Sequence, residues 1–143
     1  MKAALNLSCP ISDRLLNEAV RFHGHIGPFL VLGLKAGLFA NGVLGKDSFK
    51  TQAVVETDPT PPCSCIVDGI QIATGCTMGK GNIELKSGSS LSVTFVKGDK
   101  RLEICLKDKV SARLKKISTK DESEKTALTF VDKSIQDFFD IKK

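Results

Sequence analysis

The chain lacks tryptophan and tyrosine, so its interior must be built from leucine, isoleucine, valine and eight phenylalanines. It has no apolar run able to span a bilayer. The longest, Phe29 to Leu44, is broken by Lys35, Asn41 and several glycines. Met1-Lys2-Ala3-Ala4-Leu5-Asn6 has no sustained apolar core of the kind a secretory signal needs. These absences predict a cytoplasmic protein with no membrane role. No Cys-x-x-Cys pair occurs and the five cysteines are an odd number, so disulfides are the minor reading. In a reducing compartment the cysteines are thiols or metal ligands.

What is present fits one domain over residues 1–143, long enough to close its own core. The net charge of +5 is unevenly placed. Residues 1–85 carry seven basic and seven acidic side chains; residues 86–143 carry fourteen and nine. The later charges alternate in sign, as on a solvated helix, with no aromatic interleaving, so nucleic acid is not the expected partner.

Ser12-Asp13 starts a predicted helix over 13–22, which Gly24 and Gly27 end; Pro28 opens a second from Phe29 to about Asn41. Gly33 and Gly37 fall on one face of that helix and invite a close neighbour. Lys50 to Glu56 reads as a strand, and Asp58 to Pro62 as a stiff connector. Cys63 to Ala73 reads as a helix and Thr74 to Asn82 as a glycine-rich loop. Asn82 to Leu85 predicts a short strand. Ser90–Val96 and Arg101–Leu106 alternate around Lys97-Gly98-Asp99-Lys100, the pattern of a hairpin. Asp108–Lys116 and Asp121–Ile141 read as helices, the last with Leu128, Val131, Ile135, Phe138 and Phe139 inside. The segregated order favours an α+β fold, a mixed or antiparallel sheet packed against helices.

Chemistry concentrates in three stretches. Phe22-His23-Gly24-His25 holds both histidines. On one helix they would diverge, because each residue turns about 100°; they converge only if the helix ends at Gly24. Cys65, placed in the first turn of a helix after Pro61-Pro62, is where the dipole favours a thiolate. Asp68 follows three residues on and is placed to orient a histidine or a water. Cys63 reads as a small surface or half-buried residue, and Cys105 as core. Cys76 and Lys80 lie in the glycine-rich loop, which does not meet the phosphate-loop pattern. Glu56 ends a strand beside the same region, as a pocket residue or a solvated one.

Together these stretches resemble the formylmethanofuran dehydrogenase E-subunit family. The resemblance rests on Phe22-His23-Gly24-His25 with Pro28 and Gly33, on Glu56, on Cys65-x-x-Asp68-Gly69-x-Gln71, and on Thr74-Gly75-Cys76-Thr77-x-Gly79-Lys80-Gly81-Asn82. It covers about the first two-thirds of the chain. It implies a fold akin to the glyceraldehyde-3-phosphate dehydrogenase catalytic domain, a homodimer, and a metal, zinc, near the His and Cys motifs. Carried over by motif, the metal ligands come from His23, His25, Cys65 and Cys76. Cys65, His25 and Asp68 form the candidate catalytic set, and Lys80 and Asn82 the candidate cofactor contacts. The resemblance departs in two places: Phe29 replaces the usual glycine after Pro28, and the cysteine-rich zinc-ribbon of longer relatives is absent. It implies a molybdenum or tungsten enzyme of one-carbon metabolism as partner, with molybdopterin reaching this chain only through it.

Three readings stay open on the sequence. The chain is a zinc protein with an open or closed site, a metal-free thiol enzyme with Cys65 as nucleophile and His25 or His23 as base, or a non-catalytic accessory subunit.

Overall fold

Ser12 opens the first helix, α1 (Asp13–His23), its hydroxyl accepting the Leu15 amide at 3.1 Å. The computed structural model containing it describes residues 8–142; the stretch Met1 to Asn6, read as lacking a signal, lies outside them. The second helix, α2 (Pro28–Leu44), takes Pro28 in its first turn and runs past Asn41 to a Gly45 cap. Almost all of α2 is buried, Lys35 included.

A buried ammonium is costly unless the protein replaces its water. Here Nζ of Lys35 donates to the carbonyls of Ser8 at 3.2 Å, Cys9 at 3.0 Å and Val131 at 2.6 Å. Three donors meet three acceptors. Burial still pushes the Lys35 pKa below its usual value, against the pull of Cys9, Asp132 and Asp137.

Five strands form one mixed sheet: β1 (Thr51–Thr57), β2 (Ile83–Ser87), β3 (Ser92–Lys97), β4 (Lys100–Leu106) and β5 (Phe139–Lys142), in the order β2-β1-β3-β4-β5. Only β1 and β2 run parallel. A parallel pair needs a crossover, and α3 (Ile66–Thr74) supplies it after a 3-10 turn at Cys63–Cys65. Thr51, Ala53, Val55 and Thr57 of β1 are buried, as are Leu102, Ile104 and Leu106 of β4. This is the expected α+β layering. Cys105, read as core, alternates out of it: it lies half-buried on the face opposite Ile104. Among the described residues no helix is long and apolar enough to cross a membrane.

The carboxyl-terminal region departs from expectation. After α4 (Asp108–Lys115), the last helix, α5 (Lys120–Phe130), stops well short of Ile141. The Val131 carbonyl is turned to Lys35, and Ser134 and Asp137 form a capping box around a new 3-10 turn. The chain then pairs with β4, Phe139 opposite Leu106 and Ile141 opposite Ile104. Without β5, β4 would be an unpaired edge. Leu128, read as inside, is 56% exposed.

What positions the site is the crossing of α2 and α3. A Cβ on Gly33 would overlap the Ile66 carbonyl oxygen and come within 2.9 Å of Gly69 Cα; one on Gly69 would overlap the Leu30 carbonyl oxygen. Backbone meets backbone there, as the glycines of α2 predict.

Candidate functional site

The two histidines meet because α1 ends between them. Gly24 takes a φ of 104°, which glycine tolerates best, and its N–H caps the Val20 carbonyl at 2.7 Å. The chain turns back, and the His23 and His25 rings approach to 4.7 Å between centroids, tilted by 46°. His25 is exposed, its Nδ1 donating to the Ile26 carbonyl at 3.2 Å.

Asp68 arrives from α3. With Gly69 fixed against α2, the preceding residue turns toward the end of α1, and Asp68 Oδ2 lies 2.5 Å from His23 Nδ1. An ionised carboxylate only accepts, so the proton of this contact sits on Nδ1, and in the neutral ring the lone pair then falls on Nε2. Gln71 extends the chain of contacts. Its Nε2 donates to Asp68 Oδ1 at 3.4 Å, while its Oε1 accepts the Met78 amide at 2.9 Å. The glycine-rich loop is thereby tied to His23 through two side chains. Residue-by-residue reading gave Gln71 no role; its i+3 spacing from Asp68 on one helix was the available signal.

The other imidazole nitrogen is the anomaly. His23 Nε2 is the one buried side-chain nitrogen or oxygen among the described residues with no hydrogen-bond partner. Such an atom costs about 1–3 kcal/mol unless something pairs with it.

Cys65 lines the same cleft, about 390 Å³ in volume, with His23, Asp68, Gln71, Met78 and Ile83. Its surroundings raise the thiol pKa, first by burial, then through Asp68 and Cys63. This reverses the expectation from a helix start. Cys65 precedes α3 in a 3-10 turn, and its own N–H is spent on the Pro62 carbonyl at 3.1 Å. Cys63 is half-buried, as expected, and lines a different hollow with Asp58 and Lys115.

Four predicted residues lie elsewhere. Cys76 is fully buried, its thiol donating to the Thr51 carbonyl at 3.3 Å, and it does not line the cleft. Asn82 accepts the Thr77 amide at 2.8 Å and donates to the Ser48 and Thr51 carbonyls at 2.8 and 3.2 Å. Lys80 bonds Gly75 O and Thr77 Oγ1 and lies 5.3 Å from the Phe49 ring centre. Both residues hold the loop's shape. Glu56 is exposed and lies beside Lys86 and Arg101 in a separate hollow across the sheet. Among the described residues no three His, Cys, Asp or Glu side chains are grouped closely enough to hold an ion. His23, His25, Cys65 and Cys76 therefore form no ready cage. The fit to a metal rests on the fixed, unpartnered His23 nitrogen and the nearby Cys65 sulfur.

Comparison with known proteins adds three findings. The family profile described as FmdE, molybdenum formylmethanofuran dehydrogenase operon, matches residues 22–141. A probable S-adenosyl-L-methionine-binding protein of Archaeoglobus fulgidus is 40% identical over 72 residues, which are 49% of this chain; the chain spans 20% of that relative's length. A crystal structure of a tungsten formylmethanofuran dehydrogenase FmdE-like protein from Syntrophus aciditrophicus superposes with a TM-score of 0.63 at 17% identity, covering 99% of this chain and 76% of that one. This last likeness concerns the fold.

Proposed function

This chain belongs to the FmdE family, and from that premise we propose that it is a zinc-binding protein of formylmethanofuran dehydrogenase-type metabolism, with His23 and Cys65 as the primary ligands. The observation that carries the reading is the buried, unpartnered Nε2 of His23. A carboxylate on the far nitrogen of a histidine is the usual support of a metal-bound imidazole. Asp68 occupies that position, keeping the proton on Nδ1 and the ring in one orientation, while Gln71 steadies Asp68. His25 stands beside His23 as the next available ligand or as a proton carrier facing solvent. Zinc held with an open position supplies a Lewis acid.

Family membership supports a place beside a molybdenum or tungsten enzyme, with molybdopterin staying on that partner. The proposal takes this protein to be a homodimer, so light scattering should give twice the mass of one chain. Likeness of fold to the glyceraldehyde-3-phosphate dehydrogenase catalytic domain would carry no activity by itself. The metal-free thiol reading is the weaker one: burial and Asp68 raise the Cys65 pKa, which disfavours a free thiolate nucleophile, whereas a bound zinc would itself displace the thiol proton.

The test is metal content by mass spectrometry of untagged protein. Wild type should hold about one zinc per chain, His23→Ala and Cys65→Ser should lose it, and Cys76→Ser should keep it. Asp68→Asn should weaken zinc binding by about 10–100-fold. Metal-free wild type, or full occupancy in His23→Ala, overturns the reading.

A further inference from the structure

A separate hollow of about 260 Å³ lies between α4, the end of α5 and the 3-10 turn Ile135–Asp137. Its floor is apolar: Val110, Phe130 and Phe138 are buried, and the two rings stand 4.5 Å apart between centroids with a 48° tilt. Its rim is basic: Lys109, Arg113 and Lys133 are all exposed. The Arg113 guanidinium carbon lies over Phe130, 5.5 Å from the ring centre, within reach of a cation–π contact.

Among the described residues the ion pairs are Arg14–Glu18 and His23–Asp68, so none of the three cations has a carboxylate partner. Asp137, the acid at the rim, faces the Ser134 capping box, its Oδ2 accepting from the Ser134 amide at 2.9 Å and the Ser134 hydroxyl at 3.2 Å, and its charge offsets one of the three cations. The whole net positive charge of the chain also falls in residues 86–143, where this hollow is built.

We propose that the hollow binds a small organic anion, a carboxylate carried on one planar apolar ring. Val110, Phe130 and Phe138 line the floor and give the ring an apolar contact. Arg113 offers two parallel N–H donors for the carboxylate, and Lys109 and Lys133 add charge. The volume falls below the about 300 Å³ at which sites for drug-sized ligands begin, so a small ligand suits it best. The hollow shares no lining residue with the His23 cleft, so the proposal stands apart from the zinc reading.

The probe is 4-fluorobenzoate, followed by fluorine NMR and by methyl and aromatic shifts on the full chain, with 4-fluorobenzyl alcohol as its neutral counterpart. Binding of the acid should saturate in the millimolar range, shift Val110, Phe130 and Phe138, and weaken as salt is added. The alcohol, and the double variant Arg113→Gln with Lys133→Gln, should each bind about fivefold to tenfold more weakly. Both substituted side chains are exposed, and an unchanged melting temperature confirms that the variant folds. No saturable shift at these residues, equal binding of acid and alcohol, or full affinity in the double variant each overturns the proposal.

Discussion

Gly33→Ala tests the idea that the site is set by backbone contact between α2 and α3. In an isolated helix the change would stabilise by about 1 kcal/mol. In this fold the new methyl overlaps the Ile66 carbonyl and approaches Gly69 Cα. These are backbone atoms of the partner helix and its lead-in, which cannot rotate away, so the overpacking cost lies near the upper end of about 1–3 kcal/mol. The net is a loss of about 1–2 kcal/mol, or roughly 5 °C in melting temperature for a chain of this size. Gly42 lies in the same helix with nothing within 4 Å of its would-be Cβ, so Gly42→Ala should gain about 0.5–1 kcal/mol. Urea unfolding of both variants, with m unchanged, measures the gap of about 1.5–3 kcal/mol between identical substitutions. Pushing α3 away also draws Asp68 from His23, so zinc affinity should fall in Gly33→Ala and hold in Gly42→Ala. If Gly33→Ala is as stable as wild type, the close crossing does not set the geometry and the argument for Asp68 loses its support.

Two further outcomes follow from groups outside the cleft. Burial raises the Cys9 thiol from 9.0 to about 11, so the folded chain holds that proton where the unfolded chain has lost it. The stability this confers is complete below pH 9.0 and is lost by about 11; Cys9→Ala should flatten that fall by about 2 kcal/mol in urea melts across the window. Lys35→Met removes the shared donor of the Ser8, Cys9 and Val131 carbonyls and should cost about 2–4 kcal/mol by the same assay. A neutral result would mean that water or rearrangement serves those carbonyls as well.

Where local chemistry decided the structure, the sequence was readable. The Ser12 cap, the break at Gly24, the Pro28 start and the β3–β4 hairpin each depend on a few adjacent residues, and each stands close to its expected position. Failures came where distant partners decide. Ile135, Phe138 and Phe139 fit a helical stripe, yet pairing with β4 and the pull of Lys35 on Val131 convert their neighbourhood to a turn and a strand. The pattern of β4 alone puts Cys105 on the outer face, since Leu102, Ile104 and Leu106 alternate with it and claim the inner one. In the site, the ability of Asp68 to orient a histidine was legible, but which histidine was not. That contact spans 45 residues and depends on the turn at Gly24 and the fit of Gly69. Composition likewise gave no hint that the Cys65 environment would favour the thiol, because burial by the cleft walls exists only after folding.

The ammonium of Lys35 joins two segments that lie 26 and 96 residues from it along the chain. Neither the stretch before α1 nor the chain leaving α5 can lift without exposing the same charge, so the two should open as one cooperative unit. Slow amide exchange measured at one of them therefore reports on the other, and a sequence change that loosens the end of α5 should be felt at Cys9, at the opposite end of the polypeptide.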